Sequence, residues 1–248
     1  MRRIYLDPAD CEKNHTEISI KDSSFHYLSN VLRMKKGDTF LGFDGSGIEY
    51  TVLIVKMERK TIKGEILKTK KITEIELPFN INLFQSLPKG SKMDKIIDEV
   101  AQLGIKKIYP VISCRTIPQI TEENIIYKKS RWKRIAVEAS KIAGRDFVME
   151  VENPINFKEA VRIPADVKFI FWEKATLQLK ERIRDIPKLK KGASVNVFIG
   201  PEGGYTDEEI SLAKEYGALS VSMGKRILRV ETASVVAVAL TIYELENL

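Results

Sequence analysis

Up to about residue 72 the apolar positions come in short runs broken by polar turns, which is a strand pattern. Thr39–Phe43 and Ile48–Val55 flank Asp44-Gly45-Ser46-Gly47, a strong hairpin signal. Thr61–Leu67 reads as a further strand. Phe25–Met34 is helix-like and closes at the turn Gly37-Asp38. The expected outcome is a compact sheet or small barrel. The charged stretch Lys68–Glu74 ends this pattern, so the boundary is placed between domains 1–72 and 73–248.

From Pro78 onward strands alternate with helices. Asn80–Phe84 is a strand, and the loop Gln85–Ser91 opens a helix running through Leu103, with Met93, Ile96, Ile97 and Val100 on one face. Lys107–Ile112 is the next strand. Glu122–Ala143 is a long helix whose expected buried stripe is Trp132, Ile135, Ala136, Ala139 and Ile142. Further strands are predicted at Phe147–Val151, Val167–Trp172, Ser194–Ile199 and Leu219–Ser222, with helices between them, and a closing helix at Val235–Leu245. Such alternation predicts an α/β fold with a mostly parallel sheet covered on both faces.

Composition changes this picture little. The 248 residues suffice for one large domain or two ordinary ones, and 44% apolar with 30% charged residues is globular. Lys+Arg outnumber Asp+Glu by 41 to 34, which suits a polyanionic partner and equally a merely basic enzyme. Cys11, Cys114, His15 and His26 have no disulfide or zinc spacing, so no metal is expected. The N-terminus lacks the apolar run of a signal peptide, and Thr232–Tyr243 is too short an apolar stretch to span a bilayer. A cytoplasmic protein is expected.

The chemistry is concentrated in two Gly-marked turns, each following a strand and leading to a helix: Ile199-Gly200-Pro201-Glu202-Gly203-Gly204 and Met223-Gly224-Lys225-Arg226-Ile227-Leu228-Arg229. Ligands of open α/β sheets bind outside the carboxyl ends of strands, so two such turns suggest one crevice. Thr206-Asp207-Glu208-Glu209 has the capping-box pattern and starts a helix just beyond the first turn. Glycines there let backbone approach a ligand closely.

With Leu228-Arg229-Val230-Glu231-Thr232-Ala233, these motifs resemble those of the bacterial 16S rRNA uracil-N3 methyltransferases, a family of the knotted SPOUT superfamily. The likeness extends through Arg2-Arg3-Ile4-Tyr5, His26, Val31-Leu32-Arg33, Gly37-Asp38, Phe43-Asp44-Gly45, Gln85–Gly90, Arg131-Trp132 and Glu138-Ala139. The chain departs from the family pattern at Lys141-Ile142-Ala143, where a Gln or similar polar residue is usual, and at Val230, where Thr is common. The resemblance implies a PUA-like RNA-binding β-barrel followed by a trefoil-knotted SPOUT α/β domain, S-adenosyl-L-methionine as cofactor, 16S rRNA as substrate within the small subunit, and a homodimer.

On that resemblance, cofactor contacts are expected from Ile199, Gly200, Pro201, Glu202, Gly203, Met223, Gly224, Ile227, Leu228, Thr232 and Ala233. Arg229 is the candidate for stabilising a uracil anion, with a phosphate or interface contact weighed evenly against it. Glu202 is the nearest candidate proton acceptor, although a structural carboxylate bonding loop amides is the favoured reading. Arg2, Arg3 and Arg33 are candidate RNA contacts in the barrel, with Lys89 and Arg145 at the catalytic rim. A solvated charge is the ordinary fate of each. The rival functions are a ribose 2′-O methyltransferase of the same fold and a non-catalytic RNA-binding ribosome-assembly factor.

Overall fold

A computed structural model describes residues 3–71, 76–117, 122–184 and 186–247, without the side chains of 122 and 123. The predicted boundary at 72/73 and the candidate contact Arg2 lie outside the described residues. The chain divides into two units, Met1–Glu76 with Ser140–Val148, and Leu77–Ala139 with Met149–Leu248.

In the N-terminal unit, β1 (Arg3–Tyr5), β2 (Cys11–Lys13), β3 (Glu17–Ile20), β4 (Thr39–Phe43), β5 (Ile48–Met57) and β6 (Ile62–Lys71) form one sheet ordered β1-β4-β5-β6-β3-β2. It is a curled half-barrel of PUA-like form: the end strands β1 and β2 do not pair with each other. Alternation makes the core, since Tyr50, Val52 and Ile54 of β5 and Ile62 and Ile66 of β6 turn the same way and meet Ile4, Leu28 and Phe40. The helix-like stretch is a short helix, α1 (Asp22–His26), continued by a π-helical turn Tyr27–Val31. The Leu32 N–H reaches back to the Tyr27 carbonyl, and Arg33 then ends the run with a φ of 53°.

In the C-terminal unit, β7 (Asn80–Ser86) leads to α2 (Lys92–Gln102), β8 (Lys107–Ile112) and α3 (Glu122–Ile142). Next come β9 (Glu150–Val151), β10 (Ile155–Asn156), α4 (Phe157–Ala160), β11 (Val167–Phe171) and α5 (Leu179–Ile183). The chain closes with β12 (Ser194–Ile199), α6 (Asp207–Glu215), β13 (Ala218–Val221) and α7 (Val230–Glu246). The sheet order is β10-β8-β7-β12-β11-β13, with β9 on β8, and every pairing is parallel. β7 and β11–β13 are rich in residues buried from both faces, as parallel sheets require.

Two expectations need correction. Phe147–Val151 is a strand only at Glu150–Val151, where it pairs with β8; Phe147 makes only isolated bridges to Gly45 and Ser46. Ile142 is 75% exposed, because it lies at the edge of a stripe whose centre is Trp132, Ala136, Ala139 and Ser140. The final turn of α3, from Ser140, belongs to the N-terminal unit.

Candidate functional site at the strand ends

Strand register decides where the site forms. Phe171, the last residue of β11, lies level with Ile199 of β12 and Val221 of β13, and Ile199 is level with Gln85 of β7. Parallel strands ending together send their following loops off the same edge of the sheet. A cleft of about 290 Å³ opens there, between Phe171-Trp172-Glu173, the glycine loop Ile199–Tyr205, the loop Ser222–Leu228, and Val230 and Ala233 of α7. The two motif turns therefore face one another across a single space.

The glycine loop is tight. Gly204 has a φ of 68°, and its N–H donates to the Pro201 carbonyl at 2.9 Å. That left-handed conformation disfavours any side chain at position 204, and a Cβ there would also stand 3.0 Å from Glu173 Oε1, which would have to move aside. Beyond it α6 begins with the anticipated capping box: the Glu209 N–H donates to Thr206 Oγ1, and Glu209 Oε2 accepts from the Thr206 N–H. Below the loop, Gln85 is fully buried and its Oε1 accepts a hydrogen bond from Ser234 Oγ of α7. That bond ties the end of β7 to the helix that follows the second motif.

Of the expected cofactor contacts, Ile199, Gly200, Pro201, Glu202, Gly203, Met223, Gly224, Ile227, Leu228 and Ala233 line the cleft. Thr232 does not; it is exposed on the first turn of α7. Arg229 stands at the N-terminal boundary of α7 between the cleft-lining Leu228 and Val230, and its side chain is exposed. Trp172 and Glu173 were absent from the expected set. They could have been found from the sequence, since the strand-end rule applies to β11 as it does to β12.

The acid–base inventory narrows the chemistry. Burial works against the Glu202 charge, but hydrogen bonds from Lys92 Nζ (2.6 Å) and from backbone N–H groups, including that of Lys89 (3.1 Å), outweigh it and hold the carboxyl below its ordinary range. Glu202 thereby anchors the glycine loop to the start of α2, and the lowered pKa weakens it as a proton acceptor. These contacts support the structural-carboxylate reading of Glu202 over the reading as a base. Tyr205 is buried, and burial pushes its phenol well above the ordinary value, so it stays protonated. Trp172 Nε1 is a buried donor with no hydrogen-bond partner among the described residues. Close-approach glycine backbone and apolar side chains along the cleft wall suit a flat-ringed ligand of nucleoside size.

The candidate RNA contacts separate. Arg33 and Lys89 are exposed. Arg3 instead hydrogen-bonds Asp146 and the Arg145 carbonyl, pairs with Glu49 at 3.3 Å, and lies 4.1 Å from the centre of the Phe43 ring. Arg145 is only 4% exposed and gives two hydrogen bonds to Glu76. Both are internal struts of the N-terminal unit, which corrects the expectation that they face RNA. Trp132 is buried on α3, with Nε1 bonded to Asp94 Oδ1 at 3.1 Å, the core role expected of it.

Known proteins share this architecture. A family profile described as "RNA methyltransferase domain" matches residues 75–242, and one described as "RNA methyltransferase PUA domain" matches residues 20–67. The ribosomal RNA small subunit methyltransferase E of Synechocystis sp. is 33% identical, over 90% of this chain and 71% of the relative. The enzyme of the same description from Buchnera aphidicola subsp. Acyrthosiphon pisum is 31% identical over 95% and 90%. The crystal structure of ribosomal RNA small subunit methyltransferase E from Neisseria gonorrhoeae, bound to S-adenosyl methionine, superposes with a TM-score of 0.82. It is 33% identical and the match covers 97% of this chain and 96% of that one.

Proposed function

The chain belongs to the RNA methyltransferase family that includes ribosomal RNA small subunit methyltransferase E, and on that premise we propose that it uses S-adenosylmethionine to methylate N3 of a specific uridine in 16S rRNA. The observation that carries this reading is the single cleft between the glycine loop and the Met223–Leu228 loop. When bound there, S-adenosylmethionine supplies an electrophilic methyl group.

This chain's residues do the rest. Backbone of Ile199–Gly203 and Met223–Leu228 grips the adenosine, with Ile227 and Leu228 as its apolar wall. Glu202, held as an anion by Lys92, keeps the glycine loop in place. Arg229 faces the negative charge that spreads onto the uracil carbonyl oxygens as the N3 proton leaves to solvent, the moment at which a fixed cation helps most. Arg33 and Lys89 are exposed cations suited to phosphate.

The active species is a cytoplasmic homodimer in this proposal. α7 is apolar around most of its circumference yet exposes Leu240 and Tyr243, and Ile227 is 82% exposed. A helix apolar all round is normally covered. Light scattering will report a dimer, and a monomer at micromolar concentration contradicts that part.

The deciding experiment labels small ribosomal subunits from a strain lacking this protein with methyl-labelled S-adenosylmethionine. Nucleoside mass mapping is expected to find 3-methyluridine at one site in 16S rRNA. A 2′-O-methylated nucleoside, or RNA binding without label, overturns the reading.

A further inference from the structure

The turn after β8 does not line the cleft, yet it is fastened to a loop that does. Ser113–Thr116 closes on itself, with the Ser113 N–H donating to Thr116 Oγ1 and the Thr116 N–H donating to the Ser113 carbonyl, both at 3.0 Å. From this turn Arg115 Nη1 donates to the Gly203 carbonyl at 2.6 Å. The arginine stem lies along the Cα face of Gly203, where an added Cβ would stand 3.2 Å from Arg115 Cδ and 3.3 Å from its Cβ. A second fastening sits beside it: the Cys114 N–H donates to Glu209 Oε1 at 2.8 Å, while the other oxygen of that carboxylate accepts from Thr206 at the start of α6.

We propose that Arg115 is a positioning residue that fixes the Gly203 carbonyl and so sets the shape of the glycine loop before the methyl donor arrives. Gly203 lines the cleft while Arg115 stands behind it, so the arginine acts on the ligand through the loop. A guanidinium suits the task, because one N–H can bond the carbonyl while the long stem packs flat on a residue with no side chain. A side chain at position 203 would press on this stem. This inference rests on reading the cleft as the donor site, but its first readout does not require the donor.

Hydrogen exchange is measured on the ligand-free full-length protein for wild type, Arg115→Ala and Arg115→Lys, followed by calorimetric titration with S-adenosylmethionine. Arg115→Ala is expected to speed exchange within Gly200–Glu209 while the rest of the chain keeps its rates. Donor affinity then falls about tenfold, the scale of one charge-assisted hydrogen bond. Arg115→Lys recovers part of both effects. Wild-type exchange rates in Gly200–Glu209 of the alanine variant overturn the proposal, as does faster exchange spread over the whole chain. If wild type itself binds no S-adenosylmethionine, the functional reading fails, and the exchange data still decide the role of Arg115.

Discussion

Arg3 in the N-terminal unit lies among Glu49, Asp146, the Arg145 carbonyl and the face of Phe43, whereas Arg229 in the C-terminal unit stands exposed at the start of α7. The two guanidinium groups have different surroundings, and under the proposed function they have different purposes. Asp146 is buried, and a buried carboxylate needs a cation or it destabilises the fold. Arg229 has exposed surroundings and a cleft beside it, so its charge remains available for a substrate.

Removing each arginine in turn should cost a different property. Arg3→Ala leaves Asp146 buried without its partner and should cost about 3–5 kcal/mol of stability in the N-terminal unit. Chemical denaturation followed by exchange in that unit will read it. An undisturbed midpoint with weakened RNA binding would return Arg3 to the RNA surface. Arg229→Ala should leave stability within about 0.5 kcal/mol of wild type, as exposed substitutions do. Its single-turnover methylation should drop roughly 10²–10³-fold. A near-normal rate removes Arg229 from the chemistry.

Glu202→Gln should reduce single-turnover methylation only severalfold, by loosening the glycine loop, because a carboxyl held below its ordinary range accepts protons poorly. A general base typically contributes about 10²–10⁴-fold, so a loss on that scale would mark it as the base after all. The pH dependence follows from the same shift. Since the folded pKa is depressed, the contribution of Glu202 to the loop is complete above the usual carboxylate range and lost as pH falls through the lowered value. Wild-type donor affinity should thus decline in acid, with a shallower decline in Glu202→Gln. Parallel pH profiles for the two proteins would contradict the anchor role. The smallest effect is expected from Thr232→Ala, which should leave donor affinity within about twofold of wild type, as substitutions away from a site do; a large loss in calorimetry would bring position 232 into the site.

What could be read from the sequence follows the same division. Pattern and turn chemistry constrain backbone strongly, so Lys107–Ile112 and Ser194–Ile199 were located to the residue, and Thr206 was identified as a cap. The shared cleft followed from two glycine turns at the ends of parallel strands. Pairings between residues far apart in the chain were not legible. Nothing local to Arg145 points to Glu76, nothing local to Glu202 points to Lys92, and the contact of Arg115 with Gly203 spans most of a hundred residues. The open edge of the curled sheet was hidden for a related reason, since alternation specifies a strand's two faces and leaves its neighbours undetermined.

If the two C-terminal turns hold one methyl donor between them, a crystal of this protein grown with S-adenosylmethionine will show the adenosine against Ile199–Gly203 and Met223–Leu228, with its methyl group on the side of Arg229. Density for the donor elsewhere on the chain, with that cleft filled only by solvent, would contradict it.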